Sequence, residues 1–96
     1  MQLLPDDPRF PIQLKSIPDP PKMLNYLGCC TPEIFRFCVA LVGTRNITPY
    51  GYNVITKFIR ELSNYDCTIV SGFSRGVDIA VHEACLKNDV STIAIL

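Results

Sequence analysis

Hydrophobic and polar positions follow a regular rhythm from residue 36 onward. Phe37-Cys38-Val39-Ala40-Leu41-Val42 is an unbroken apolar run closed by Gly43, the pattern of a strand buried on both faces of a parallel sheet. Thr48-Pro49 follows, a side chain suited to capping a helix and a proline suited to its first position. Gly51, Val54, Ile55, Phe58, Ile59 and Leu62 then recur at three- and four-residue spacing, with Asn53, Lys57, Arg60 and Glu61 between them. This spacing predicts an amphipathic helix with Phe58 in its apolar face. The cycle repeats. Cys67-Thr68-Ile69-Val70 reads as a strand running into Ser71-Gly72, and Val77, Ala80, Val81, Ala84 and Cys85 mark a helical stripe ending near Asn88-Asp89. A third strand is predicted over Thr92-Ile93-Ala94-Ile95-Leu96. The order β-α-β-α-β implies parallel strands joined by right-handed crossovers, hence a Rossmann-like α/β fold. Residues 36–96 supply one half of such a sheet and read as an incomplete domain.

Before residue 36 the rhythm is lost. Seven of the eight prolines lie within residues 1–32, and the eighth is Pro49. Residues 1–35 therefore predict an extended, proline-rich arm with short turns, stiff and poor in amide donors around Pro18-Asp19-Pro20-Pro21. Met23, Leu24, Tyr26 and Leu27 are apolar enough to lay it down as an edge strand or a strap.

Composition narrows the function classes. Ninety-six residues allow one domain, and nine basic side chains balance nine acidic ones, which excludes whole-chain attraction to nucleic acid. Any polyanion site must be local. No apolar run approaches the roughly 20 residues of a membrane span, and the N-terminus lacks the pattern of a signal peptide. A cytoplasmic protein without membrane association is expected. Five cysteines form no CxxC pair, and the single histidine, His82, is not near a cysteine couple, so zinc spacing is absent. The odd count suits a reducing compartment, with Cys38 and Cys85 acting as small core residues. No metal or cofactor is predicted.

In open parallel sheets, ligands bind beyond the carboxyl ends of the strands, where helix N-termini present bare amides. Two loops of similar equipment fall there. Gly43-Thr44-Arg45-Asn46 follows the first strand, and Ser71-Gly72-Phe73-Ser74-Arg75-Gly76-Val77-Asp78 follows the second. Glycines let backbone approach an anion, the hydroxyls of Thr44, Ser71 and Ser74 add donors, and Arg45 and Arg75 can each grip a phosphate. A single glycine is explained by a turn; the paired pattern points to phosphate groups. Neither loop carries GxGxxG or GxxxxGK[ST], so an ordinary dinucleotide or ATP is not indicated. Asp78 and His82, four residues apart, share a helix face. They fit either an acid/base pair or a first-turn carboxylate with His82 bonded to it or to nearby backbone. No GxSxG surrounds Ser71 or Ser74, and helix capping accounts for a serine at this place. No catalytic residue is predicted. Tyr50, Tyr52 and Phe73 lie near the loops, where a base could stack.

These stretches resemble the DNA-processing protein A family (DprA, also called Smf). Its pattern of strand, G-[ST]-R, helix, strand, SG-x-[AS]-x-G-x-D and A-x-x-x-A-L helix matches Val39 to Gly51, Ile69 to Leu86 and Ser91 to Leu96, and Phe10 to Gly28 is similar to the segment preceding the family's fold. The resemblance implies a Rossmann-like domain that binds single-stranded DNA and loads the recombinase RecA onto it in DNA uptake, natural transformation and recombination. It also implies a capacity to form a homodimer and no essential enzymatic step. Arg45 would meet a DNA phosphate, with Gly43 and Thr44 beside it. Ser71, Gly72, Ser74, Arg75 and Gly76 would form the adjacent cradle. Asp78 and His82 would support the site without catalysis. Phe73 and Ser74 stand where leucine and alanine are more usual. Family members continue past the third strand with further basic residues, so the chain is expected to be a truncated fragment. The alternatives are a nucleotide or phosphoribosyl hydrolase of a related Rossmann-like fold, whose PGGxGTxxE signature is not found here, and a non-functional truncated reading frame.

Overall fold

The computed structural model describes residues 1–96, which divide into two compact units, Met1–Phe35 and Arg36–Leu96. In the first, β1 (Gln2–Leu3) pairs antiparallel with β2 (Leu24–Asn25), setting Leu3 opposite Leu24. Between them lies one short helical turn, α1 (Ile12–Lys15), and a 3₁₀ turn follows at Pro32–Phe35. The segment is not extended throughout: it folds back on itself around buried Leu3 and Phe10. Arg9 fastens it. Its Nη2 and Nε donate to the Asp7 carboxylate at 2.9 and 3.1 Å, and its Nη1 donates to the Tyr26 hydroxyl at 2.9 Å.

The second unit runs β3 (Cys38–Ala40), α2 (Pro49–Leu62), β4 (Thr68–Ser71), α3 (Val77–Lys87) and β5 (Ser91–Ala94). The three strands form a parallel sheet in the order β3-β4-β5, with Val39, Ile69 and Thr92 in register. This is the Rossmann-like β-α-β-α-β arrangement expected from the sequence. The core joins Ile59 of α2, Ile69 of β4, Val81, Ala84 and Cys85 of α3, and Val90, with Val39 and Leu41 packed against it. Thr48 caps α2 by accepting the Gly51 N–H at 3.0 Å, and Pro49 takes the first helical position, where a missing N–H costs nothing. α3 ends where Asp89 turns to φ 54°, a left-handed conformation that aspartate tolerates better than most residues.

Several expectations are corrected. The first strand is three residues long rather than six, and it is not buried on both faces. β4 holds the centre of the sheet, so β3 is an edge; Phe37 and Val42 remain 63% and 72% exposed, and Cys38 is a surface residue. Phe58 is 47% exposed rather than core. α2 turns the strip of Ile55, Ile59 and Leu62 inward, while Tyr50, Val54 and Phe58, spaced by four, lie along a different, exposed stripe. Cys85 is core as expected, and burial pushes its thiol pKa up; partial desolvation does the same at Cys38. Neither is a ready thiolate. The third strand ends at Ala94, with Ile95 extending the ladder by one N–H to the Ser71 carbonyl at 2.9 Å.

Candidate functional site

The loops that leave β3 and β4 lie at adjacent strand ends, and backbone joins them. Val77 donates its N–H to the Thr44 carbonyl at 3.0 Å. Gly76 makes this approach possible: it sits at φ 87°, and a Cβ there would collide with the Thr44 carbonyl oxygen and lie 2.7 Å from Arg45 backbone. Gly43 lies as close to Val77, whose Cγ2 is 2.8 Å from where a Cβ would stand. The glycines of the two loops thus let the loops touch each other. Thr44 accepts the Asn46 N–H on its hydroxyl oxygen at 3.1 Å, which leaves the hydroxyl proton available. Arg45 and Arg75 are both exposed, and neither forms an ion pair or hydrogen bond within the chain.

Beneath the second loop lies a buried polar network. Ser71, 2% exposed, donates its hydroxyl to Asp78 Oδ1 at 3.1 Å, and the Ser74 N–H approaches Oδ2 at 3.4 Å. A Cβ on Gly72 would stand 2.6 Å from the same Oδ2, so a side chain there would push this carboxylate aside. His82 lies 2.7 Å from the Gly72 carbonyl through Nε2 and 2.7 Å from the Thr92 hydroxyl through Nδ1. A carbonyl only accepts, so Nε2 carries a proton and donates to it. In the neutral ring Nδ1 then accepts from Thr92.

The network corrects several expectations. Of the two readings of Asp78 and His82, the structure has the first-turn carboxylate with His82 on nearby backbone, the Gly72 carbonyl; the two side chains do not bond to each other, and each fastens a different point of the loop. Neither serine caps α3, whose N-cap is Gly76 with no side-chain cap. The Ser71 hydroxyl is committed to Asp78 beneath the surface and is not presented to a ligand. The helix N-termini are also less bare than expected. Thr44 takes the first N–H of α3, the Asp78 carboxylate sits in its first turn, and Thr48 takes the Gly51 and Tyr52 N–H groups of α2. A carboxylate already at a helix N-terminus weakens its attraction for another anion. The free cationic groups of these loops are the two arginine side chains.

Sequence reasoning passed over Thr92. Its signal is faint, one of two hydroxyls at the start of a strand, in register with Ile69 and so on the face toward α3. Among the aromatic candidates, Phe73 is 59% exposed, Tyr50 is more exposed still and Tyr52 less. The Phe73 ring centroid lies 6.2 Å from that of His82 with the planes 48° apart. No group of three or more His, Cys, Asp and Glu side chains is arranged to hold a metal ion, and no helix is long and apolar enough to cross a membrane.

A family model described as DNA recombination-mediator protein A matches residues 2–96. The chain belongs to the DNA recombination-mediator protein A family. Among its relatives in this family, Protein Smf of Synechocystis is 39% identical over 97 residues, covering 98% of this chain and 24% of the relative. DNA processing protein DprA of Bacillus subtilis is 36% identical over 92% of this chain and 30% of its own length. The X-ray structure of DprA from Streptococcus pneumoniae superposes with a TM-score of 0.82 at 33% identity, covering 99% of this chain and 33% of that one. The chain thus spans about a quarter to a third of these family members, and within that span it shares the fold of the Streptococcus pneumoniae protein.

Proposed function

We propose that the two joined loops bind the phosphates of single-stranded DNA, as part of DNA uptake and recombination. One observation carries this reading. Arg45 and Arg75, exposed and unpaired, stand on two loops held together by the Val77–Thr44 hydrogen bond, so a single backbone segment can meet both. Arginine forks match phosphate oxygens in bidentate fashion, and phosphate contacts position a strand without reading its sequence. Membership in a DNA recombination-mediator family supports the same ligand. Gly43, Gly72 and Gly76 let the loops close, Thr44 and Ser74 offer hydroxyls beside the arginines, and Ser71, Asp78 and His82 hold the second loop from below. No residue takes a catalytic role, because both polar side chains that suggested one are engaged in holding the loop. Delivery of the strand to RecA, pairing of two copies and a cytoplasmic setting belong to this proposal on the resemblance of the sequence to DprA.

Fluorescence anisotropy with a labelled oligonucleotide tests it. Each arginine–phosphate contact on a single strand contributes about 0.7 to the slope of log affinity against log salt, so two contacts predict about a sevenfold loss between 50 and 200 mM salt. Arg45→Ala with Arg75→Ala should flatten that slope and remove most binding. Absence of saturable binding at low salt would refute the proposal.

A further inference from the structure

We propose that Phe73 is a base-stacking platform that favours unpaired over paired strands on this surface; the inference rests on the phosphate-binding reading above. A phenyl ring gains strongly from burial, yet Phe73 remains more than half exposed. Looseness of the loop is not the cause. The residue before it is tied through its carbonyl to His82 at 2.7 Å, and the residue after it directs its N–H toward Asp78 at 3.4 Å. Both anchors reach down to buried side chains of α3, so the backbone holds the ring outward between two fixed points.

The ring also has lateral support. His82, fixed on both nitrogens, lies beside it at 6.2 Å between centroids and 48° between planes. A tilted aromatic neighbour favours one orientation, and a ring already oriented loses little freedom when a ligand arrives. Arg75 follows two residues later, no more than about 7 Å along an extended backbone. A phosphate held by Arg75 and a base resting on Phe73 can therefore belong to one nucleotide or to neighbours. Every base has a π-face, so stacking adds affinity without sequence preference. Bases in a duplex have both faces covered by their neighbours, and the contribution applies to open strands.

Binding of the whole chain to three probes tests the inference: a normal oligonucleotide, one of equal length with abasic sites, and a duplex. Phe73→Ala should weaken binding to the normal oligonucleotide about 5- to 100-fold, and Phe73→Tyr should restore it. The abasic strand should bind the unaltered chain and Phe73→Ala equally weakly, and the duplex should be indifferent to the change. Normal binding by Phe73→Ala, together with loss in the double arginine variant, would overturn the stacking role and leave the phosphate reading intact. Equal loss by Phe73→Ala on normal and abasic strands would overturn stacking as the cause. Failure of every probe at low salt would overturn both.

Discussion

Each unit of the chain contains a polar network, and the two are built differently. In Met1–Phe35, Asp7, Arg9 and Tyr26 lie partly in water, and the Asp7–Arg9 ion pair spans only two residues of sequence. In Arg36–Leu96, Ser71, Asp78 and His82 are buried and, with half-buried Thr92, link two strands, a helix and a loop. An exposed ion pair competes with water on nearly equal terms, and its net value is small. A buried donor or acceptor has no such substitute, and breaking one bond strands its partner. The contrast assigns the networks different work: the first tethers a surface turn, whereas the second sets the shape of the loop that presents Phe73 and Arg75.

Removing Asp78 is the strongest way to test that contrast. Asp78→Ala leaves the Ser71 hydroxyl buried without its acceptor and deletes a carboxylate from the first turn of α3. An unsatisfied buried hydroxyl and a lost first-turn charge together predict about 2–3 kcal/mol of destabilisation, read from a urea unfolding midpoint. Asp78→Asn should recover part of it, because the amide oxygen still accepts from Ser71. Amide exchange at residues 72–74 should quicken in the alanine variant. A midpoint unchanged by Asp78→Ala would mean that burial does not separate the two networks.

How much of this arrangement was legible in the sequence follows the same division. Val54, Ile55, Phe58, Ile59 and Leu62 announced a helix because period and capping are local signals, and Thr48-Pro49 marked its start. The element types and the placing of two loops at carboxyl ends of strands followed from the β-α-β-α-β alternation. Local periodicity could not say which strand would be central, so β3 was expected to be buried when it is an edge. It also counted Phe58 as core, although α2 buries a narrower strip than its apolar residues could cover. Within the site, Arg45 and Arg75 were legible as residue types in paired loops. The roles of Ser71, Asp78 and His82 were not, because a hydroxyl–carboxylate bond across seven residues and an imidazole–hydroxyl bond across ten depend on how the sheet seats α3.

A smaller effect is expected from Thr92→Val, which keeps shape and removes the hydroxyl partner of His82 Nδ1. Loss of this part-buried hydrogen bond, together with the Thr92 contact to the Cys85 thiol, predicts about 1 kcal/mol, measured by the same unfolding midpoint. The Nε2 bond to the Gly72 carbonyl remains, so DNA affinity should stay close to that of the unaltered chain. A loss as large as that of Asp78→Ala would show that the network acts as one cooperative unit instead of two separate fasteners.

The exposed network predicts the smallest effect at neutral pH and a distinct signature in acid. The Arg9 guanidinium hydrogen-bonds the Asp7 carboxylate and holds its pKa down from 3.8 to about 2. A carboxylate whose pKa is lower in the folded than in the unfolded chain adds stability that is fully present above the unfolded value. That contribution declines as pH falls below about 4 and is lost as pH falls through about 2, where Asp7 becomes protonated in the folded chain. Asp7→Asn should therefore melt slightly below the unaltered chain at pH 6, and the two melting curves should draw together as pH falls through about 2. Raising the salt concentration should narrow the gap at pH 6, because partly exposed charges are screened. The Arg9–Tyr26 hydrogen bond does not depend on the charge of Asp7, so a tether across the turn survives the titration. A gap at pH 6 as wide as that produced by Thr92→Val would place the two networks on equal footing, and exposure would no longer account for their difference.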